Sequence, residues 1–179
     1  IRFFGAVADA VDIPVGIQNA PEFLGIGLSN AGLVALNRAH PNVTVVKAES
    51  GAMAAGRLID TLEGRMAVFN GRAGLELTDN WRAGVDGMIP GIETIDRQGA
   101  IEALMRAGDE DAAEALYREI LPALTFAMAG IEHFVFYGKR LAAARLGIAP
   151  SGHRLPSLTG DARGLAWIAR FAAALGPLP

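Results

Sequence analysis

Two residues near the middle of the chain invite a chemical reading first. Lys47 ends the apolar run Val43-Thr44-Val45-Val46, and Glu49 follows two residues later. In extended backbone, side chains two apart share a face, so an amine and a carboxylate would look into the same space. A lysine whose stem lies among valines can act as an amine nucleophile toward a ketone, and a carboxylate beside it can move the proton on the neighbouring carbon. The plain alternatives are a lysine reaching from a strand end to water and a structural ion pair. Gln18 and Asn19 end an earlier apolar run and precede Ala20-Pro21; their amides can hydrogen-bond a carbonyl or hydroxyl, or tie down the loop to Pro21. Asn70-Gly71-Arg72 follows a third run, where Gly71 would let backbone approach a bound molecule. Arg72 can bind a carboxylate or sit at the surface. Ile89-Pro90-Gly91 follows a fourth run; Ile89 is expected to shape the wall of a site, and Glu93 just beyond it to be solvated. Ser50-Gly51 turns the chain into a helix whose first amides could hold an anion.

Other chemistries find less support. The three histidines, His40, His133 and His153, do not have metal-ligand spacing, so no metal is assigned. The chain has no cysteine, which excludes a disulfide framework, a thiolate zinc site and a catalytic thiol. No glycine-rich stretch forms a phosphate-cradling motif, and no cofactor is assigned. Lys and Arg number 16 against 19 Asp and Glu, a formal charge of −3 that favours neither nucleic acid nor an anionic membrane as partner. With no apolar run of about 18 residues and no secretory signal at the start, the expectation is a soluble cytoplasmic protein.

Positioning those residues at strand ends requires a particular order of elements. The pattern predicts strands over 13–19, 43–47, 66–69 and 86–89. Helices are expected over 29–39, with Ser29 as N-cap, and over 52–62, 75–83 and 98–107. Strand starts lie about 20–30 residues apart, the length of a strand-plus-helix unit. The runs are apolar on both faces, as in a parallel sheet covered by helices. Beyond Gly108 no strand is expected. One long helix covers 109–129 and a second 130–146, the aromatics of 131–139 packing on the barrel or on a neighbouring subunit. A loop follows over 149–156, then an amphipathic helix over 161–175. The reading is four β/α units over 1–108 and an all-helical part over 109–179. On pattern alone, half of a (β/α)8 barrel and an open sheet both remain possible. The 179 residues suit one domain, yet Ile1-Arg2-Phe3-Phe4 enters a helical pattern with no cap and no Met. We therefore expect an N-terminal portion to be absent.

With the lysine strand in view, the sequence resembles the dihydrodipicolinate synthase/N-acetylneuraminate lyase family. The matching pieces run from Pro14 to Pro21, where the family has a strand ending Tyr-Asn-x-Pro, and from Val45 to Gly51, which resembles the family's Schiff-base lysine strand. Phe69-Asn70-Gly71, Gly87-Met88-Ile89 and Gly108-Asp109 follow in family order. The resemblance covers only the back part of a family member. It implies the C-terminal half of a TIM barrel (strands 5–8) with a helical extension, a homo-oligomer, usually a tetramer, and lyase chemistry through a lysine imine on a 2-oxo acid without cofactor. Lys47 inherits the imine role by position, with Glu49 beside it and Gln18, Asn19, Gly71 and Ile89 as substrate-binding candidates.

Two departures narrow the activity. The family's strand-five tyrosine, a proton relay, is Gln18 here, and the carboxylate stands two residues after the lysine instead of one. The Gln-Asn-Ala-Pro and Lys-x-Glu-Ser combination looks most like the branch that dehydrates 2-keto-3-deoxy sugar acids, such as the arabonate derivative. An aldolase or synthase of the same family, and a non-catalytic binding protein or inactive fragment, stand as alternatives.

Overall fold

The computed structural model describes residues 1–150, 152–155 and 157–179; of the loop expected over 149–156, Ser151 and Pro156 lie outside the described residues. Contacts group the chain into two compact units, Ile1–Ile89 and Pro90–Pro179.

The first unit alternates strand and helix. It runs α1 (Arg2–Ala8), β1 (Val15–Asn19), α2 (Pro21–Leu24), α3 (Asn30–Ala39), β2 (Val43–Ala48), α4 (Ala52–Leu62), β3 (Ala67–Asn70), α5 (Leu77–Arg82) and β4 (Gly87–Met88). The four strands form one parallel sheet in the order β1-β2-β3-β4, which follows from each strand returning through a helical crossover. Ser29 caps α3 as expected, its hydroxyl accepting the Gly32 N–H at 3.1 Å.

Register decides what each face presents. Ile17, Val46 and Val68 lie side by side, with Asn19, Ala48 and Asn70 two residues on. That face packs against Leu33 and Leu36 of α3 and Ala55, Leu58 and Leu62 of α4, forming the core. Each fully buried leucine there contributes roughly 1.5–3 kcal/mol. The opposite face carries Gly16 and Gln18, which are exposed, and Val45, Lys47 and Phe69, which are half-buried. The apolar runs are therefore covered fully on the helix side only.

Two local differences have clear causes. The fourth strand spans Gly87–Met88, not 86–89. Pro90 has no N–H to continue the ladder, and Asp86 spends its carboxylate on the Val68 N–H at 2.7 Å. The unpredicted α2 starts with Pro21 at its first position and ends at Gly25, whose φ of 70° suits glycine.

The second unit is helical: a 3-10 turn (Ile92–Thr94), α6 (Ile95–Ala107), α7 (Glu110–Ala127), α8 (Ile131–His133), a π-helical turn (Phe134–Gly138), α9 (Lys139–Leu146) and α10 (Ala162–Leu175). The helix expected over 130–146 is thus interrupted. At Gly138 a side chain would come within 3.1 Å of the Phe134 ring, so glycine lets the widened turn close. Asp109 and Asp161 cap α7 and α10 by accepting the N–H groups of Ala112 and Gly164 at 3.2 and 2.7 Å.

Glu93 overturns its expectation. It is 2% exposed, not solvated. The 3-10 turn aims it inward, and Gly91, lacking a side chain, leaves the carboxyl room against its Cα. Burial pushes the Glu93 pKa up to about 7, because its own N–H and the nearby Arg145 only partly offset the lost hydration. Arg145 is itself fully buried, gripping Asp96 through two bonds of 2.9 and 2.7 Å and the carbonyls of Glu93 and Gly176 at 2.6 and 2.7 Å. Partial burial works to raise the Asp96 carboxyl, but Arg145 and Arg97 outweigh it and hold it below the ordinary range. Among the described residues no single helix is long and apolar enough to cross a membrane.

Candidate active site

The carboxyl ends of β1, β2 and β3 bring together residues far apart in sequence. Parallel pairing sets Gln18 beside Lys47 and Lys47 beside Phe69, so the three side chains leave the same face. The chain stays extended past β2, because the Glu49 N–H donates to the Asn19 carbonyl at 3.0 Å. Glu49 therefore returns to the face of Lys47, as the two-residue spacing predicts.

There the Lys47 ammonium meets Glu49 Oε1 at 2.6 Å. The Gln18 amide reaches the same oxygen at 3.5 Å. Glu49 Oε2 accepts the backbone N–H of Arg72 at 2.6 Å. One carboxylate oxygen is thus pinned by a main-chain donor and the other is turned to the amine. The Glu49 side chain is only 7% exposed while Lys47 is 25% exposed, so the amine is the more open of the pair.

Gly71 makes this geometry possible. A side chain there would put its first carbon 2.5 and 2.7 Å from the two Glu49 carboxylate oxygens. The close approach expected at Gly71 is therefore taken by Glu49, not left open for another molecule. The loop that follows holds Arg72, Ala73 and Glu76 at φ of 51°, 55° and 55°, a region costly for residues with a Cβ. A buried amide network holds it in place. Asn70 donates to the Ser50 carbonyl at 2.8 Å and to Asn80 Oδ1 at 2.6 Å, and Asn80 donates to the Glu76 carbonyl at 2.7 Å.

The anion site expected at the start of α4 is already filled from within. Glu76 Oε2 accepts the Ala52 N–H at 2.6 Å, while Glu76 Oε1 takes the Arg72 guanidinium at 2.9 Å. The helix needs an acceptor because Gly51 offers no side chain for a cap. Partial burial tends to raise the Glu76 carboxyl, but the Ala52 N–H and Arg72 prevail and lower it. Arg72 also approaches Glu22 at 3.4 Å, so its guanidinium is partnered by two carboxylates of the chain.

Asn19 and Ile89 stand apart. Asn19 exchanges two bonds with the backbone of Leu28, at 2.9 and 2.8 Å, and so ties down the loop after β1. Ile89 is 40% exposed, and its N–H donates to the Asn70 carbonyl at 2.8 Å, at the end of β4. Sequence reasoning missed the Arg72 N–H, since a main-chain donor leaves no mark in residue type. Glu76 was legible in principle from its i,i+4 spacing to Arg72, and Asn80 from being a poor helix former inside a helix. Among the described residues no three His, Asp or Glu side chains converge to hold a metal ion.

Comparisons with known proteins agree on the kind of chain this is. The model of the dihydrodipicolinate synthetase family matches residues 1–163. A 4-hydroxy-tetrahydrodipicolinate synthase from Exiguobacterium sibiricum is 30% identical over 159 residues, covering 87% of this chain and 53% of that protein. A crystal structure from Pseudomonas aeruginosa, carrying the name of a dihydrodipicolinate synthetase, superposes with a TM-score of 0.86 at 25% identity, over 97% of this chain and 60% of that one. The chloride-inhibited dihydrodipicolinate synthase of Acinetobacter baumannii, solved with pyruvate, has a TM-score of 0.82 at 24% identity and covers 99% of this chain and 60% of its own. The chain spans about half the length of the curated relative it matches.

Proposed function

The chain belongs to the dihydrodipicolinate synthetase family, and from that premise we propose that Lys47 forms an imine with a 2-oxo acid, in a lyase that dehydrates a 2-keto-3-deoxy sugar acid of the arabonate type. The observation that carries this reading is the Lys47–Glu49 contact of 2.6 Å, with the second oxygen of Glu49 pinned by a main-chain N–H. In this reading the four strands are strands 5–8 of a (β/α)8 barrel and the half-buried face bearing Lys47 is its inner wall. Residues 109–179 are the helical extension, and the working protein is a cytoplasmic homo-oligomer, a tetramer by family resemblance. The parallel order of the strands and the site at their carboxyl ends support it.

The chemistry uses the chain's own residues. Glu49 Oε1 takes a proton from Lys47, freeing the amine to attack the C2 ketone. The resulting carbinolamine loses water, the proton returning from Glu49, and an iminium forms. The iminium draws electrons from C3, and Glu49 removes a C3 proton to give an enamine. The enamine expels the C4 hydroxyl, which takes the proton from Glu49 and departs as water. Hydrolysis of the conjugated iminium restores the Lys47 amine and releases the dehydrated 2-oxo acid. Gln18, 3.5 Å from the working oxygen of Glu49, orients a substrate hydroxyl. Asn19 and Ile89 would act at one remove, by fixing the loop after β1 and lining the wall.

A second reading is an aldolase or synthase using the same imine to break or form a carbon–carbon bond, which the name of the Exiguobacterium relative favours. Gln18 opposes it, because an amide does not relay protons. Products separate the two: pyruvate plus an aldehyde means carbon–carbon cleavage, and an acid of unchanged carbon count means dehydration. Borohydride reduction of the protein with a 2-oxo acid should leave a mass adduct on Lys47. Absence of the adduct would sink the scheme, and a Glu49→Gln variant with full turnover would remove Glu49 as the base.

A further inference from the structure

Arg72 serves the site twice. Its N–H holds Glu49, while its guanidinium extends to Glu76 at 2.9 Å and to Glu22 at 3.4 Å. Glu22 belongs to α2, in the loop after β1, and Arg72 to the loop after β3. Since β2 lies between those strands, the Arg72–Glu22 pair spans the carboxyl end of the strand that carries Lys47 and Glu49.

The two carboxylates on Arg72 are not equivalent. Glu76 is fixed a second time by the Ala52 N–H at 2.6 Å. Glu22 meets Arg72 Nε as an ion pair without a hydrogen bond, makes no further ion pair among the described residues, and has a side chain 46% exposed. Glu22 is therefore the exchangeable partner. The cluster of Lys47, Arg72, Glu22, Glu49 and Glu76 carries two positive and three negative charges. It is poor in positive charge for a substrate bringing a carboxylate at each end.

We propose that Glu22 sets the charge selectivity of the site: by occupying Arg72 it restricts binding to 2-oxo acids whose far end is uncharged, and with Arg72 it reads hydroxyls there. A hydroxyl can accept from the guanidinium and donate to Glu22 at once, whereas a second carboxylate must displace Glu22 and meets its repulsion. This rests on Lys47 as the imine-forming amine and names the substrate feature that the same site selects.

The test is borohydride trapping on the protein as encoded, with pyruvate, which has no charged far end, and 2-oxoglutarate, which has one. Pyruvate should be trapped well and 2-oxoglutarate poorly. Glu22→Gln should raise the ratio of 2-oxoglutarate to pyruvate trapping roughly three- to tenfold, the size expected for removing one partly solvated like charge. Adding Arg72→Gln, which keeps the N–H to Glu49, should abolish that gain. An unchanged ratio in Glu22→Gln, or a gain that persists without the guanidinium, overturns the proposal. Failure of the unsubstituted protein to trap pyruvate overturns the Lys47 reading instead, so the two failures are distinct.

Discussion

Glu93→Gln should make the protein more stable in mild alkali while changing little in acid. Glu93 is 2% exposed, and its Oε1 has no hydrogen-bond partner among the described residues. Burial is the leading cause of its shift, from 4.5 to about 7, an increase of about 2.5 units. At 1.36 kcal/mol per unit this amounts to about 3 kcal/mol. The sign follows from the direction. The folded state holds the proton more tightly than the unfolded chain, so this contribution is fully present below pH 4.5. It is lost progressively as pH rises to about 7 and is constant above that. A glutamine, neutral at every pH and nearly the same shape, removes the dependence. Urea unfolding of both proteins at pH 5, 6, 7 and 8 measures it. The variant should gain on the parent from pH 5 to about pH 7 and then level off, the total gain being about 3 kcal/mol by pH 8. A constant difference between the two proteins from pH 5 to pH 8 would refute the reasoning, because it would mean that Glu93 titrates alike in both states.

Gly71→Ala should lower turnover by roughly a hundredfold with the fold retained by circular dichroism, since its methyl would lie 2.5 Å from a Glu49 oxygen and displace the base. Arg145→Met should cost roughly 3–5 kcal/mol in urea unfolding, because it strips the Asp96 carboxylate of its two-bond partner. A loss below about 1 kcal/mol would show that water satisfies Asp96 in its place.

Much of the fold is legible because it depends on local rules. Ser29, Asp109 and Asp161 mark helix starts through short side chains that accept the N–H three residues ahead, and those bonds form. The apolar spacing of Leu33 and Leu36, and of Ala55, Leu58 and Leu62, places α3 and α4 on one side of the sheet. Where local rules compete, the reading is less complete. The stretch 130–146 has helical spacing throughout, yet Phe134 needs the space at Gly138 and the helix widens there. Glu93 reads as a surface residue because a charge beside Pro and Gly usually is one. Only the fold encloses that turn.

At the site, the sequence by itself indicated that Lys47 and Glu49 share a face provided the backbone stays extended past the strand, a condition the Glu49 N–H bond to the Asn19 carbonyl meets. It also placed Gln18 and Gly71 at strand ends. It could not say which neighbour would hold the carboxylate or whether a helix N-terminus was free. Those outcomes depend on residues 23 or 24 positions apart in the chain, Arg72 N–H to Glu49 and Glu76 to Ala52. Pairing at such a distance is set by parallel register, which brings the loop after β3 beside the end of β2. A hydrogen bond then forms only where the donor and acceptor finally meet within about 3 Å. Residue type states what a side chain can do, and tertiary structure decides whom it meets.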